Sequence, residues 1–251
     1  MLHPVEIKLN VDAARVDVVG ALGQQPQAGT TRQIWFAEER AGVDRGVLTL
    51  FTNHVVIRLR SGSGSDDLTV KLRPCTPEQL IGRWTDDFDT KVLNYRVEGD
   101  WSRARRVLAA SAVSQRTSGS LLETVGPFAD PGEAISIKQR QFLKLCGPSD
   151  LHVGHLVALG PIVSTKWTDI DIGEGTVNVE RWITADLDIV ELSTRVSPRE
   201  HESDAEFEAR AVRRQRRLEQ AAGDLGLPVD AHRETKTQRV LAALARIAVA
   251  R

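Results

Sequence analysis

The segment VVIRLRSGSGSDDLTVKLRP, residues 55–74, constrains the fold more than any other part of the chain. Val55, Ile57 and Leu59 fall on one face of its first run, with Arg58 and Arg60 on the other. Leu68, Val70 and Leu72 fall on one face of the second run, with Thr69, Lys71 and Arg73 on the other. Successive side chains of a strand point to opposite faces, so each run is a strand with one apolar and one polar face, and SGSGSDD reads as the hairpin loop between them. The polar face carries Arg58, Arg60, Lys71 and Arg73, with no acid interleaved.

Polar faces of antiparallel strands commonly meet water, and basic residues are ordinary there. Three features argue for more. The same layout recurs along the chain: Glu6 shares a face with Lys8 in PVEIKLNV, Arg96 with Glu98 in VLNYRVEGD, Glu180 with Asn178 in TVNVERWI, and Glu191 with Ser193 in DIVELSTRV. The signs segregate, basic in the early hairpin and acidic in the last two strands. The opposite faces are apolar, and helices are available to cover them. Ser136 with Gln139 and Ser203 with Glu206 are capping boxes that open two of these helices, and TKTQRVLAALARIAVA is a third. A sheet whose apolar faces are covered by helices turns its charged faces inward. The expected fold is therefore α+β, a single domain over residues 1–251 built on an antiparallel closed or nearly closed β-barrel with helices packed outside.

Other segments give local expectations. Asp12 is placed to cap a helix over DAARVDVVGALG, and PEQLIGRW reads as a short helix begun by Pro77. RQIWFAEE reads as a strand, RGVLTLFTNHVVIRLR holds one or two more, and PIVSTKWTDI is another. WSRARRVLAASAVSQ fits either an amphipathic helix or a strand.

A barrel lined with arginine and lysine calls for an anion, because like charges that close repel and are costly to desolvate. A triphosphate offers many acceptor oxygens, which guanidinium groups meet with paired, charge-assisted hydrogen bonds. Carboxylates on another wall imply a divalent cation, since Mg²⁺ is held by one or two carboxylates plus substrate oxygens. A formal net charge of −1 argues against a nucleic-acid partner. No apolar run approaches the roughly 20 residues of a membrane span, and no signal-peptide pattern opens the chain. The two cysteines, Cys75 and Cys146, lie outside any CxxC, so neither a zinc site nor a disulfide framework is expected, and a cytoplasmic location with reduced thiols is.

Taken in order, these charge pairs resemble the CYTH superfamily, the triphosphate tunnel metalloenzymes, and most of all a bacterial branch with segments similar to VEIKL, TVKLRP, SIKQRQF, LGPI, VELST and TKTQ. The family's ExExK strand is matched by Pro4, Glu6 and Lys8, with proline in the first acidic place. Its LRxR strand is matched by Arg58 and Arg60, and its TxKxxP strand by Thr69 and Lys71. The midchain acidic strand is matched by Arg96 and Glu98, and a late acid by Glu180. The final ExE is matched by Glu191, with Ser193 in the second place, and the C-terminal basic position by Lys236. Lys138 and Arg140 have the letters of the family's KxR strand but lie in a predicted helix, so Lys166 is preferred, with Arg140 in a supporting or structural role.

The resemblance implies metal-dependent hydrolysis of inorganic or nucleoside triphosphate. Glu6, Lys8 and Lys71 would be catalytic. Lys8, Arg58, Arg60, Lys71, Arg73, Arg96, Lys166 and Lys236 would bind the substrate, and Glu6, Glu98, Glu180 and Glu191 would hold Mg²⁺ or Mn²⁺. The acids missing at Pro4 and Ser193 favour an alternative, a non-catalytic polyphosphate- or nucleotide-binding protein. Adenylate cyclisation, in which a ribose 3′-hydroxyl replaces water, is the family's other chemistry. The partner expected is a triphosphate-containing small molecule, with neither nucleic acid nor membrane. His152 and His155 in SDLHVGHLV read as a surface loop, WTDIDIGEG as a strand and turn, and RRQRR at 213–217 as a solvated helix face.

Overall fold

The computed structural model describes residues 2–13, 16–103, 105–184, 187–230 and 234–249. The strands are β1 (Val5–Asp12), β2 (Thr30–Glu39), β3 (Val55–Gly62), β4 (Asp66–Cys75), β5 (Phe88–Asp89), β6 (Asn94–Ser102), β7 (Arg105–Arg116), β8 (Leu156–Asp171), β9 (Thr176–Thr184) and β10 (Leu187–Val196). The α-helices are α1 (Val18–Ala21), α2 (Arg40–Val43), α3 (Thr49–Thr52), α4 (Ile137–Cys146), α5 (Asp204–Asp224) and α6 (Lys236–Val249). None of the described helices is long and apolar enough to cross a membrane.

The strands are hydrogen-bonded in the order β1-β10-β9-β8-β2-β3-β4-β7-β6-β5, with a further β1–β6 pairing. That pairing closes nine strands into a ring. β5 takes Asn94 and Tyr95 of β6, and β1 takes Gly99 to Ser102. Closure agrees with the barrel expectation, but the sheet is mixed rather than antiparallel, because β1 and β6 run parallel. Alternation fixes which face a side chain takes; it carries no information on partner or direction when the partner lies about ninety residues away.

The chain divides into two compact units. One comprises Met1–Thr31, Glu98–Val107 and Ser164–Lys236; the other comprises Arg32–Val97, Leu108–Val163 and Thr237–Arg251. In the first unit β1, β10 and β9 share an apolar face. Leu9 lies opposite Leu192, which lies opposite Val179, and Val11 lies opposite Val190. Helix α5 places Phe207, Ala211, Leu218, Ala221 and Ala222 in the same buried cluster, the stripe of an amphipathic helix. In the second unit Val55, Ile57 and Leu59 face Leu72, Val70 and Leu68 in register, and Phe142, Leu143 and Cys146 of α4 join them. Trp84, Phe88, Tyr95 and Phe142 extend this core with ring centroids 5.0–5.4 Å apart. In both units a helix occupies the apolar side of the strands and the charged face is the opposite one.

Several local expectations are corrected. Asp12 ends β1, and the helix described in that region is α1, capped by Asp17, whose carboxylate accepts from the Gly20 N–H. Ala14 and Arg15 of the expected helix, and Ala250 at the end of the last one, lie outside the described residues. RGVLTLFTNHVVIRLR holds one strand, β3, and Thr49–Thr52 before it is a helical turn in which the buried Glu38 carboxylate accepts the Leu50 and Phe51 N–H groups at 2.8 and 2.9 Å. PEQLIGRW forms two 3₁₀ turns, and β8 begins at Leu156, five residues before the expected strand. Of the ambiguous run, Trp101 and Ser102 end β6, Ala104 lies outside the described residues, and residues 105–115 belong to β7. Its alanines suit a helix by propensity, but Gln139 of α4 donates to the carbonyls of Ala112 and Leu68, and only small side chains allow so close an approach. Both cysteines are buried free thiols, and burial pushes the Cys75 thiol up to about 11.

Candidate functional site

The polar face of the second unit starts from the β3–β4 hairpin. Arg58 lies opposite Thr69, Arg60 opposite Asp67 and Val56 opposite Lys71, so these residues share one side. Arg58, Arg60, Lys71 and Arg73 are all half-buried there. The face also carries an acid the sequence reading placed in the loop. β4 begins at Asp66, and Asp67 is the first residue of the basic face. Its buried carboxylate accepts from Arg60 Nε at 2.9 Å and from Arg32 Nη1 at 2.8 Å. The face thus sets Arg32, Arg58, Arg60, Lys71 and Arg73 against Asp67 and keeps a large positive excess. It is not charged throughout: Phe36 and Ile34 of β2 lie opposite Arg58 and Arg60 and are fully buried.

The polar face of the first unit runs over β6, β1, β10 and β9. Glu6 pairs in register with Arg195 and Asp100, Lys8 with Ser193, and Glu191 with Glu180. Lys8 Nζ lies 2.8 Å from both Glu6 Oε2 and Asp100 Oδ2. Lys236, the first residue of α6, reaches Glu180 at 2.8 Å and Glu191 at 3.2 Å, with its ammonium 4.1 Å from the centre of the Trp182 ring. Glu180 also accepts from the Ser164 hydroxyl, and Arg195 meets Glu98 at 3.0 Å.

The structure therefore gathers Glu6, Lys8, Glu98, Glu180, Glu191 and Lys236 in one unit and Arg58, Arg60, Lys71 and Arg73 in the other. Arg96 is placed differently. Its guanidinium is held by the Asp89 carboxylate at 2.7 Å and the Tyr95 and Phe88 carbonyls. Lys166 is exposed on β8. Lys138 and Arg140 do lie in α4, and Arg140 donates to the Ile135 and Gly132 carbonyls, a structural role. His152 and His155 are exposed on a loop, and Arg214 of RRQRR ties α5 to the Thr176 carbonyl and the Thr194 hydroxyl. Asp100, Arg195, Arg32 and Asp67 were missed. Asp100 continues the parity of Arg96 and Glu98, Arg195 that of Glu191 and Ser193, and Asp67 that of Thr69 and Lys71, so alternation carried to the strand ends finds these three, whereas Arg32 shares its face with the apolar Ile34 and Phe36 and is hidden.

A divalent cation of the kind the family resemblance implies needs several hard oxygens free to converge on it. Among the described residues no three acids, histidines or cysteines gather in that way. Four of the acids occur as two pairs, Glu6 with Asp100 and Glu180 with Glu191, with a lysine ammonium within 2.8–3.2 Å of both members of each, and the fifth, Glu98, meets Arg195 at 3.0 Å. Ser193, where a further acid would stand, lies opposite Lys8. As arranged, the donor set fits ammonium and does not fit Mg²⁺ or Mn²⁺.

No family model matches the chain, and no curated protein matches it. Solved structures do. An adenylyl-cyclase-type protein from Hippeastrum, described as having a dominant triphosphatase activity, superimposes with a TM-score of 0.58 at 14% identity, covering 96% of each chain. A candidate adenylate cyclase from Bacillus halodurans superimposes with a TM-score of 0.51 at 12% identity, covering 95% of this chain and 98% of that one. The chain shares their fold over nearly its whole length.

Proposed function

We propose that the chain is a CYTH-type protein that binds a triphosphate-containing small molecule. The observation that carries this reading is the positive excess on the half-buried face of β3 and β4. Arg58, Lys71 and Arg73 stand there beside an Arg60–Asp67–Arg32 group that fixes the geometry of two guanidinium forks. Arginine forks in a partly desolvated site suit phosphate oxygens, and a chain of phosphates matches several cations spaced along adjacent strands. The likeness to two structures described as adenylate cyclases, one with triphosphatase activity, supports the ligand class.

Hydrolysis is the second reading, favoured by the triphosphatase activity of the Hippeastrum protein and by the five acids Glu6, Glu98, Asp100, Glu180 and Glu191 on adjoining strands. It requires Mg²⁺ or Mn²⁺, and the pairing of those acids with Lys8, Arg195 and Lys236 weighs against it. Phosphate release from a panel of triphosphates, with and without each cation, separates the two. Binding without release supports the first reading. Cation-dependent release that Lys71→Ala and Glu6→Gln abolish establishes the second, and cyclic product from ATP establishes cyclisation. Absence of both binding and turnover removes the family function altogether.

A further inference from the structure

Lys236 is in an electrostatically poor position for a lysine. It is the first residue of α6, where the helix dipole presents positive charge, and its side chain is only 4% exposed. A buried ammonium at that end of a helix persists only if its partners outweigh both penalties. They are Glu180 at 2.8 Å, Glu191 at 3.2 Å and the Trp182 ring. Glu180 and Glu191 lie directly opposite each other on β9 and β10, where like charges repel unless a cation stands between them. Lys8 repeats the arrangement on β1. Its ammonium lies between Glu6 and Asp100, which are opposite each other in the β1–β6 pairing, and is 13% exposed.

We propose that the ammonium groups of Lys236 and Lys8 stand where a divalent cation would have to bind. The two carboxylate pairs are then satisfied from within the chain, and triphosphate binds without a metal. This deepens the binding reading above. A lysine tethered to a helix and packed against a tryptophan is not exchanged as a hydrated ion is, so the Glu180–Glu191 pair offers no metal site until that lysine is removed. Lys236 thereby becomes a specificity-determining residue, excluding the cation that hydrolysis would need.

The test is Mn²⁺ binding to the full chain without triphosphate, followed by electron paramagnetic resonance or equilibrium dialysis, with circular dichroism to confirm folding. Wild-type protein is expected to bind no Mn²⁺ at millimolar concentration that Glu191→Gln removes. Lys236→Met is expected to acquire such binding, at least about tenfold tighter than wild type, because the ammonium that meets both facing carboxylates is then gone. Lys236→Gln is the second variant should Lys236→Met not fold. Glu191-dependent Mn²⁺ binding by the wild type overturns the proposal, as does a folded Lys236 variant that gains none. If neither variant folds, the wild-type titration decides alone: no Glu191-dependent binding supports the proposal and binding overturns it. A separate titration of wild type with inorganic triphosphate in chelator keeps the two claims apart. Its failure removes the binding reading and leaves the Mn²⁺ result standing, and the converse holds equally.

Discussion

At the residue scale, the charged side chains fall into groups whose roles differ by what they touch. Lys71 is on the basic face, opposite Val56 of β3. Replacing it by alanine removes one charge-assisted contact to phosphate, each worth about 1.5–3 kcal/mol, so Lys71→Ala should weaken inorganic triphosphate binding by roughly ten- to a hundredfold in calorimetry and leave the protein folded. Unchanged affinity would take Lys71 out of the site. Glu38 is a different case, an acid that is buried for the fold. Desolvation raises its pKa to about 7, against the opposing pull of the Leu50 and Phe51 N–H groups. Its folded pKa exceeds its unfolded value, so between about pH 4.5 and 7 the folded state holds the extra proton. This contribution to stability is present below that window and is lost as the pH rises through it, on the order of 3 kcal/mol in all. Urea unfolding across pH 4–8 should show that decline, and Glu38→Gln should flatten it; a parallel decline in both proteins would contradict the assignment. The residues legible in the sequence were those inside long alternating runs. Asp67 was hidden because it follows a Gly/Ser stretch and looks like loop, and Glu38 because its burial depends on a turn more than ten residues on that only the fold reveals.

At the element scale, α4 shows how a local signal and a distant one combine. Ser136 and Gln139 form a capping box that was plain in the sequence. The sequence did not show that Gln139 is fully buried and donates to the carbonyls of Leu68 and Ala112 at 2.8 and 2.9 Å, joining the helix to β4 and β7. Losing the Ser136 cap should cost about 1 kcal/mol. Gln139→Leu should cost more, about 2–4 kcal/mol, since it removes two buried hydrogen bonds to the strands as well as the capping-box acceptor. Denaturant midpoints for Ser136→Ala and Gln139→Leu give the comparison, and equal losses would contradict the tie to the strands. The same logic explains which elements were legible. β1, β3, β4, β9 and β10 alternate cleanly because helix or core covers one side. β7 reads ambiguously because it lies under α4 and uses alanine, and the short 3₁₀ turns are set by capping and packing that leave no period.

At the scale of the whole molecule, the closed strand order was expected from the recurring charged faces, and the parallel β1–β6 closure was not. The charge layout follows the strand order. β2, β3 and β4 carry an excess of arginine and lysine, and β6, β1, β10 and β9 carry acids that meet Lys8, Arg195 and Lys236. A metal-dependent triphosphatase needs carboxylates left over for a cation; a binding protein needs only the basic excess. The measurement that separates these most directly is isothermal calorimetry of the wild-type chain with inorganic triphosphate in the presence of a metal chelator. Saturable binding of one triphosphate per chain, strong without any divalent cation and weakening as salt is raised, is the predicted result. No detectable heat in chelator, with binding appearing only when Mg²⁺ or Mn²⁺ is supplied, would contradict it.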